Sequence, residues 1–320
     1  MSESSDGAKP CVLLIDPIPS WIVDRARDLF DLIVLPHEDE RPAEFLDNVD
    51  RILGIAMPGF ARVNAAMMAL MPNLQIAACF GVGYDGIDVF YAKQHGIAVT
   101  NTPEVLTDCV ADLGMALTLA TLRKVVEGDR YVRAGRWRSE GILDLSHSPR
   151  GRCLGIVGLG RIGMELAKRA EAFGMTIAYY NRSERDDVPY PYHASAVALA
   201  EACDVLALTC PGGAATLNLI NAEVLEALGP KGYLINIARG SVVDEAALVQ
   251  ALSAQSIAGA GLDVFADEPM VPEALFAFEN VVLQPHQASA TVETRTAMGN
   301  LTIDNLLAHF QGRLLPNKVA

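Results

Sequence analysis

No apolar run in the 320-residue sequence approaches the roughly 18 residues that cross a bilayer as a helix, so a helical membrane span is not expected. No Lys/Arg-rich cluster interrupts a formal net charge of −14, and a phosphate backbone would be repelled rather than gathered. Nucleic acid is therefore excluded as an expected partner. The acidic residues are dispersed, and their first consequence is solubility. The cysteines Cys11, Cys79, Cys109, Cys153, Cys203 and Cys210 lack any C-x-x-C pair and any histidine at ligand spacing. Metal binding and a disulfide framework give way to reduced, buried small hydrophobes. The opening stretch "MSESSDGAK" is polar and has no apolar core with a small-residue cleavage site. It reads as disordered and not as a secretory signal, which predicts a cytoplasmic address.

What is present is an alternation. "CVLLID" (11–16), "LIVLP" (32–36), "RILGIAM" (51–57), "LQIAACF" (74–80) and "IAVTN" (97–101) read as short buried strands bounded by turn residues. Helical patterns lie between them at 20–30, 64–71 and 87–95. This rhythm predicts a parallel sheet covered by helices on both faces. A long helical pattern follows over 105–133, then the turn-rich linker "SHSPRGR" (146–152). Strands are expected again near 153–157, 175–180, 204–210, 232–238, 259–265 and 281–285, and a last helix over 291–311. Six strands after one linker suit a complete dinucleotide-type sheet. The length also favours two lobes, each with its own core.

The strongest local signal is "CLGIVGLGRIGMELAKRAEAFG", in which an apolar strand runs straight into Gly158, Gly160 and Gly163 and then into a helix. Gly158 allows a tight turn, Gly160 admits a pyrophosphate close to the backbone, and Gly163 lets helix and strand approach. Arg161 and Ile162 open the helix, whose N-terminal N–H groups favour an anion. With strand before and helix after, the glycines predict dinucleotide binding and not merely a flexible turn.

An acid is expected at the end of the next strand, "MTIAYYN", to grip the adenosine ribose. It is missing. Asn181, Arg182 and Ser183 stand there instead, and Glu184, Asp186 and Asp187 further on read as a solvated loop. Simple turn chemistry would explain the trio, but a guanidinium with two small polar groups in place of an acid favours a cofactor carrying a 2′-phosphate.

Candidates for chemistry follow later strands. "INIARGSVVDE" puts Arg239 directly behind one, "GLDVFADEP" puts Asp263 at a strand end with Glu268 beyond it, and "VVLQPHQASAT" puts His286 behind another. A cation, an acid and a titratable base thus converge on the edge where a nicotinamide would lie. The remaining histidines, His37, His95, His147, His193 and His309, suit surface or packing roles.

In this order "GLGRIG", "INIARGSVVDE", "AGLDVFADEP" and "LQPHQASAT" resemble the NAD(P)-dependent D-2-hydroxyacid dehydrogenases, and among them the glyoxylate/hydroxypyruvate reductase branch. The likeness extends upstream through "FGVGYDGID" (80–88) and "VTNTPEVLTDCVADL" (99–113). It implies an α/β chain of two Rossmann-like or flavodoxin-like lobes, each a parallel sheet flanked by helices, with the active site in the cleft between them. Residues 1–103, completed by 290–320, would form the substrate lobe, and 104–289 the dinucleotide domain with an arm for homodimer formation.

The resemblance also implies roles. Arg239 would hold the carboxylate of a small 2-keto acid such as glyoxylate or hydroxypyruvate. His286 would protonate the carbonyl as hydride arrives, with Glu268 on the second imidazole nitrogen keeping the ring oriented and charged. Val82 and Gly83 would offer backbone N–H groups to the same carboxylate. Asp263 would accept from the nicotinamide carboxamide, and Ile237 and Ala238 would present backbone groups to the cofactor, NADPH in preference to NADH.

Two departures from the family pattern stand out. Gly212-Gly213-Ala214-Ala215 replaces larger polar residues, which predicts a mobile loop, and Gln287 follows the histidine. Two other readings share the motifs: a dehydrogenase for a bulkier keto acid of the phenylpyruvate type, and a dinucleotide-sensing corepressor. The chain lacks the long low-complexity or peptide-docking extensions that would favour the latter.

Overall fold

The computed structural model describes residues 9–320. The disorder expected of the opening stretch thus falls, Lys9 apart, outside the described residues. The chain divides into two compact units, one running to Leu106 and resumed by Thr291–Ala320, the other Thr107–Ala290.

The first unit holds β1 (Cys11–Ile15), β2 (Asp31–Leu35), β3 (Ile52–Pro58), β4 (Ile76–Phe80) and β5 (Ala98–Thr100), parallel throughout in the order β2-β1-β3-β4-β5. Every residue of β1 and β4 is buried. Strands covered on both faces need unbroken apolar runs rather than alternation, which "CVLLI" and "IAACF" supply. The long helix Val292–Phe310 belongs here, its first turn capped by the Thr291 hydroxyl. A Cβ at Gly299 would lie 2.4 Å from Ile22, so only glycine lets this helix sit so close to the helix Ser20–Leu29. The chain end is tied in by Val319 N–H donating to the Val99 carbonyl at 2.7 Å.

The second unit holds β6 (Cys153–Val157), β7 (Thr176–Tyr180), β8 (Tyr192–His193), β9 (Val205–Leu208), β10 (Tyr233–Asn236), β11 (Gly259–Leu262) and β12 (Val281–Leu283). Their order is β12-β11-β10-β9-β6-β7-β8, again parallel. The strand order reverses between β6 and β9, and open α/β sheets bind ligands beyond the carboxyl ends at such a switch point. Because all seven strands point one way, the turns after β6, β9, β10, β11 and β12 share that edge.

Two expectations are corrected. The second sheet has seven strands rather than six, since Tyr192 and His193 pair with Tyr179 and Tyr180; two residues are too few to show a period. The helix expected over 105–133 is broken into Thr107–Leu122 and Val125–Arg133, with Lys124 in the left-handed region at φ 53°. Apolar spacing records which side faces protein, and it continues across a bend that the backbone does not. All six cysteines are free thiols. Among the described residues no helix is long and apolar enough to cross a membrane, and no group of side chains is arranged to hold a metal ion.

Candidate active site

The glycine turn after β6 has the shape its sequence requires. Gly158 sits at φ 97°, and a Cβ there would lie 2.6 Å from the Cys210 backbone, so both conformation and space demand glycine. A Cβ on Gly163 would meet the Gly158 carbonyl oxygen at 2.8 Å, which is how helix Arg161–Ala172 packs against the turn. Gly160 differs. Among the described residues beyond its chain neighbours and its own helix backbone, the one atom within 4 Å of a Cβ at that position is the Gly158 carbonyl oxygen, 4.0 Å away, so protein packing does not explain this glycine. Room kept clear above an uncapped helix N-terminus fits a pyrophosphate. Arg161 is exposed and Ile162 half-buried at that terminus.

The segment after β7 meets the turn directly. Asn181 Oδ1 accepts from the Leu159 N–H at 2.7 Å, while Arg182 and Ser183 are exposed. The acids of this segment, Glu184, Asp186 and Asp187, are all exposed, and Asp187 in addition pairs with both Nε and Nη2 of Arg185, at 2.8 and 2.5 Å. Arg185 also donates from Nη1 to the Leu159 carbonyl at 2.8 Å. Arg185 is a residue that sequence reading missed, since nothing in a run of alternating charges tells which one folds back.

At the ends of β10, β11 and β12 three segments interlock. Asn236 bridges the first turn, accepting from the Ala238 N–H and donating to the Arg239 carbonyl, both at 3.0 Å. Arg239 is half-buried, and its Nη1 reaches the Ala238 carbonyl at 2.8 Å. A Cβ on Gly240 would lie 1.8 Å from the Phe265 carbonyl carbon, so this glycine lets the Arg239 turn sit against the loop that carries Glu268. That loop is pinned by the Glu245 carboxylate on the Ala266 N–H (2.9 Å) and by Glu268 Oε1 on the Phe265 N–H (3.0 Å). Asn236 and Glu245 also escaped sequence reading, because they act on backbone that only folding brings near.

Glu268 Oε2 meets His286 Nδ1 at 2.6 Å. Burial alone would raise the Glu268 carboxyl, but the hydrogen bond and charge of His286, the Phe265 N–H and the Arg239 charge outweigh it and hold its pKa below the ordinary value. His286 has left-handed backbone at φ 54°, unusual for a non-glycine residue. Asp263 stabilises that turn. Its carbonyl accepts from the His286 N–H at 2.8 Å, and its carboxylate takes the N–H groups of Gln287 (2.6 Å) and Ala288 (2.9 Å). Burial pushes the Asp263 carboxyl up despite those two donors. Its two oxygens are thus already engaged within the protein, as are the Ala238 N–H and carbonyl, while Ile237 N–H donates to the Leu208 carbonyl at 3.4 Å.

Val82 and Gly83 follow β4 in the first unit. Their carbonyls accept from Asn101 Nδ2 (2.9 Å) and Cys79 Sγ (3.2 Å) respectively. Gly213 sits at φ 112°, and the Thr216 hydroxyl ties its loop at the Pro211 carbonyl, 2.7 Å away. Gln287 folds back on the Pro285 carbonyl at 3.1 Å.

A switch-point glycine turn and, along the same sheet edge, an imidazole fixed by a carboxylate make this a dinucleotide-dependent oxidoreductase by construction. The chain belongs to the D-isomer specific 2-hydroxyacid dehydrogenase family, whose NAD binding domain model matches residues 115–288. It is 45% identical to the glyoxylate/hydroxypyruvate reductase A of Arabidopsis thaliana over 95% of this chain and 97% of that protein. It is 44% identical to the hydroxyphenylpyruvate reductase of Plectranthus scutellarioides over 95% and 97%. The structure of an NADPH-dependent glyoxylate/hydroxypyruvate reductase from Sinorhizobium meliloti, solved with NADP and malonate, superposes with a TM-score of 0.91 at 47% identity, covering 98% of this chain and 97% of that one.

Proposed function

We propose that this enzyme reduces small 2-keto acids, glyoxylate and hydroxypyruvate foremost, to D-2-hydroxy acids, with NADPH preferred and NADH accepted. The observation that carries this reading is the 2.6 Å contact between His286 and Glu268 within range of the Arg239 charge. With Nδ1 on Glu268 orienting the ring, Nε2 would deliver a proton to the ketone oxygen. Arg239 offers a planar fork of donors to the substrate carboxylate and polarises the adjacent carbonyl. Val82 and Gly83 add backbone donors, and the unit that carries them serves as the substrate unit.

When bound, the reduced dinucleotide supplies the hydride. Gly158, Gly160, Arg161, Ile162 and Gly163 would hold its pyrophosphate, Arg182 and Ser183 its 2′-phosphate, and Ile237 and Ala238 the nicotinamide end, where Asp263 would act chiefly by holding the His286 turn. The name of the Sinorhizobium protein, NADPH-dependent and solved with NADP, supports the cofactor choice.

The protein acts as a homodimer through the segment from Val125 onward, where Trp137, Ile142 and Leu145 are 64%, 88% and 91% exposed. Free thiols suit a reducing cytoplasm. The test is loss of reduced-nicotinamide absorbance on adding glyoxylate or hydroxypyruvate, with a phenylpyruvate-type acid alongside. The hydroxyphenylpyruvate reductase among the relatives makes that bulkier acid the second reading, and a higher kcat/KM for it would replace the first.

A further inference from the structure

Leu159, in the middle of the glycine turn, is gripped at both of its backbone polar groups. Its N–H donates to Asn181 Oδ1 at 2.7 Å and its carbonyl accepts from Arg185 Nη1 at 2.8 Å. Leu159 itself is buried, so neither group can turn to water instead, and each needs a protein partner. The neighbouring amides are committed as well: Gly158 N–H to the Tyr180 carbonyl (2.9 Å) and Gly160 N–H to the Gly158 carbonyl (2.7 Å).

The two gripping residues are in turn fixed. Asp187 holds the Arg185 guanidinium at Nε and Nη2. The buried Tyr179 hydroxyl accepts from the Arg185 N–H at 2.7 Å and donates to its carbonyl at 3.2 Å. Tyr192 donates to the Asn181 carbonyl at 3.4 Å.

We propose that Asn181 and Arg185 are positioning residues that set the glycine turn before any dinucleotide arrives, and that Asn181 does so without the charge that would repel a 2′-phosphate. The proposal rests on the dinucleotide reading of this turn. An aspartate at 181 could also accept from Leu159, so holding the turn and discriminating between cofactors are separable at this one position. Arg185 acts on the Leu159 carbonyl. It is therefore distinct from Arg182, which is exposed and would meet the phosphate itself.

The experiment combines cofactor-free hydrogen exchange across the glycine turn with calorimetric Kd values for NADPH and NADH, using Asn181→Leu, Asn181→Asp, Arg185→Ala and Arg185→Lys. Asn181→Leu and Arg185→Ala should accelerate exchange at Leu159 and weaken both dinucleotides alike, by roughly fivefold or more for each lost hydrogen bond. At saturating cofactor their kcat should stay near wild type while cofactor KM rises. Arg185→Lys, which keeps one donor, should recover part of the loss. Asn181→Asp should keep the slow Leu159 exchange and penalise NADPH alone.

Unchanged exchange in both Asn181→Leu and Arg185→Ala would overturn the proposal. So would an Arg185→Ala variant that loses NADPH affinity only, which would make Arg185 a phosphate ligand. A wild-type protein that binds neither dinucleotide defeats the underlying reading, and the exchange arm, read without cofactor, tells that failure from a failure of the grip.

Discussion

His286 Nδ1 lies 2.6 Å from Glu268 Oε2, and Glu268 reaches that position with its other oxygen already bonded to the Phe265 N–H. The carboxylate is thus held from the backbone side and cannot swing away from the ring. An imidazole fixed in this way keeps one orientation, with Nε2 on the ring edge away from Glu268. Replacing His286 by Asn removes the proton donor, and kcat for glyoxylate reduction should fall by roughly 10²–10⁴ with the Kd for NADPH nearly unchanged. Steady-state kinetics with a parallel binding titration decide it; equal turnover would remove His286 from the mechanism.

Glu268→Gln should shift the pH optimum of keto-acid reduction downward. The glutamine oxygen would keep the Phe265 N–H, turning its amide NH₂ toward Nδ1, and a donor there favours the neutral ring. Oxidation of the hydroxy acid, which starts from a neutral ring, should suffer less. A second consequence concerns stability. A carboxyl whose folded pKa is depressed stabilises the fold above its unfolded value, about 4.3, and that contribution is lost as pH falls through the folded value. Tm should therefore fall less steeply with decreasing pH in the variant, as melting curves across the acid range would show.

Arg239→Lys keeps the charge but not the planar fork. Losing one charge-assisted contact of about 1.5–3 kcal/mol should lower kcat/KM for glyoxylate roughly ten- to hundredfold. If kcat/KM is unchanged, the carboxylate is held elsewhere.

Asp263→Asn should lower kcat without a matching rise in cofactor Kd. The carboxylate accepts from two consecutive N–H groups and so supports His286 at φ 54°. An amide accepts one and confronts the other with a second donor, at a cost of about 1–3 kcal/mol for the buried group left unpaired. A large loss of NADPH affinity with kcat intact would instead make Asp263 primarily a cofactor contact.

Arg182→Ala should raise KM for NADPH roughly ten- to hundredfold, the worth of about 1.5–3 kcal/mol, and barely change KM for NADH. Equal weakening of both cofactors would reduce Arg182 to a solvated surface charge.

Much of this protein was legible along the chain because the signals were local. "CVLLI" and "IAACF" are buried throughout, as unbroken apolar strands in a covered parallel sheet must be. The turn at Gly158 reads from sequence because its φ of 97° admits little else. Arg239 and His286 stand just past strand ends and Glu268 in the loop after another, so their places along one sheet edge were readable from the order of elements.

What only tertiary structure decided was pairing across sequence distance. Arg185 lies 26 residues from Leu159 and Glu245 lies 21 from Ala266, and no period or spacing links such partners. Asn181 is the clearest case. From the sequence it stands where an acid is missing, and its neighbours point to a phosphate; folded, its oxygen is turned onto the Leu159 N–H. Composition and order along the chain set which groups exist and which strands form, because those depend on a few neighbouring residues. The partner of each polar group depends instead on which backbone amides the packed sheet leaves unpaired, and that is settled only when the strands assemble.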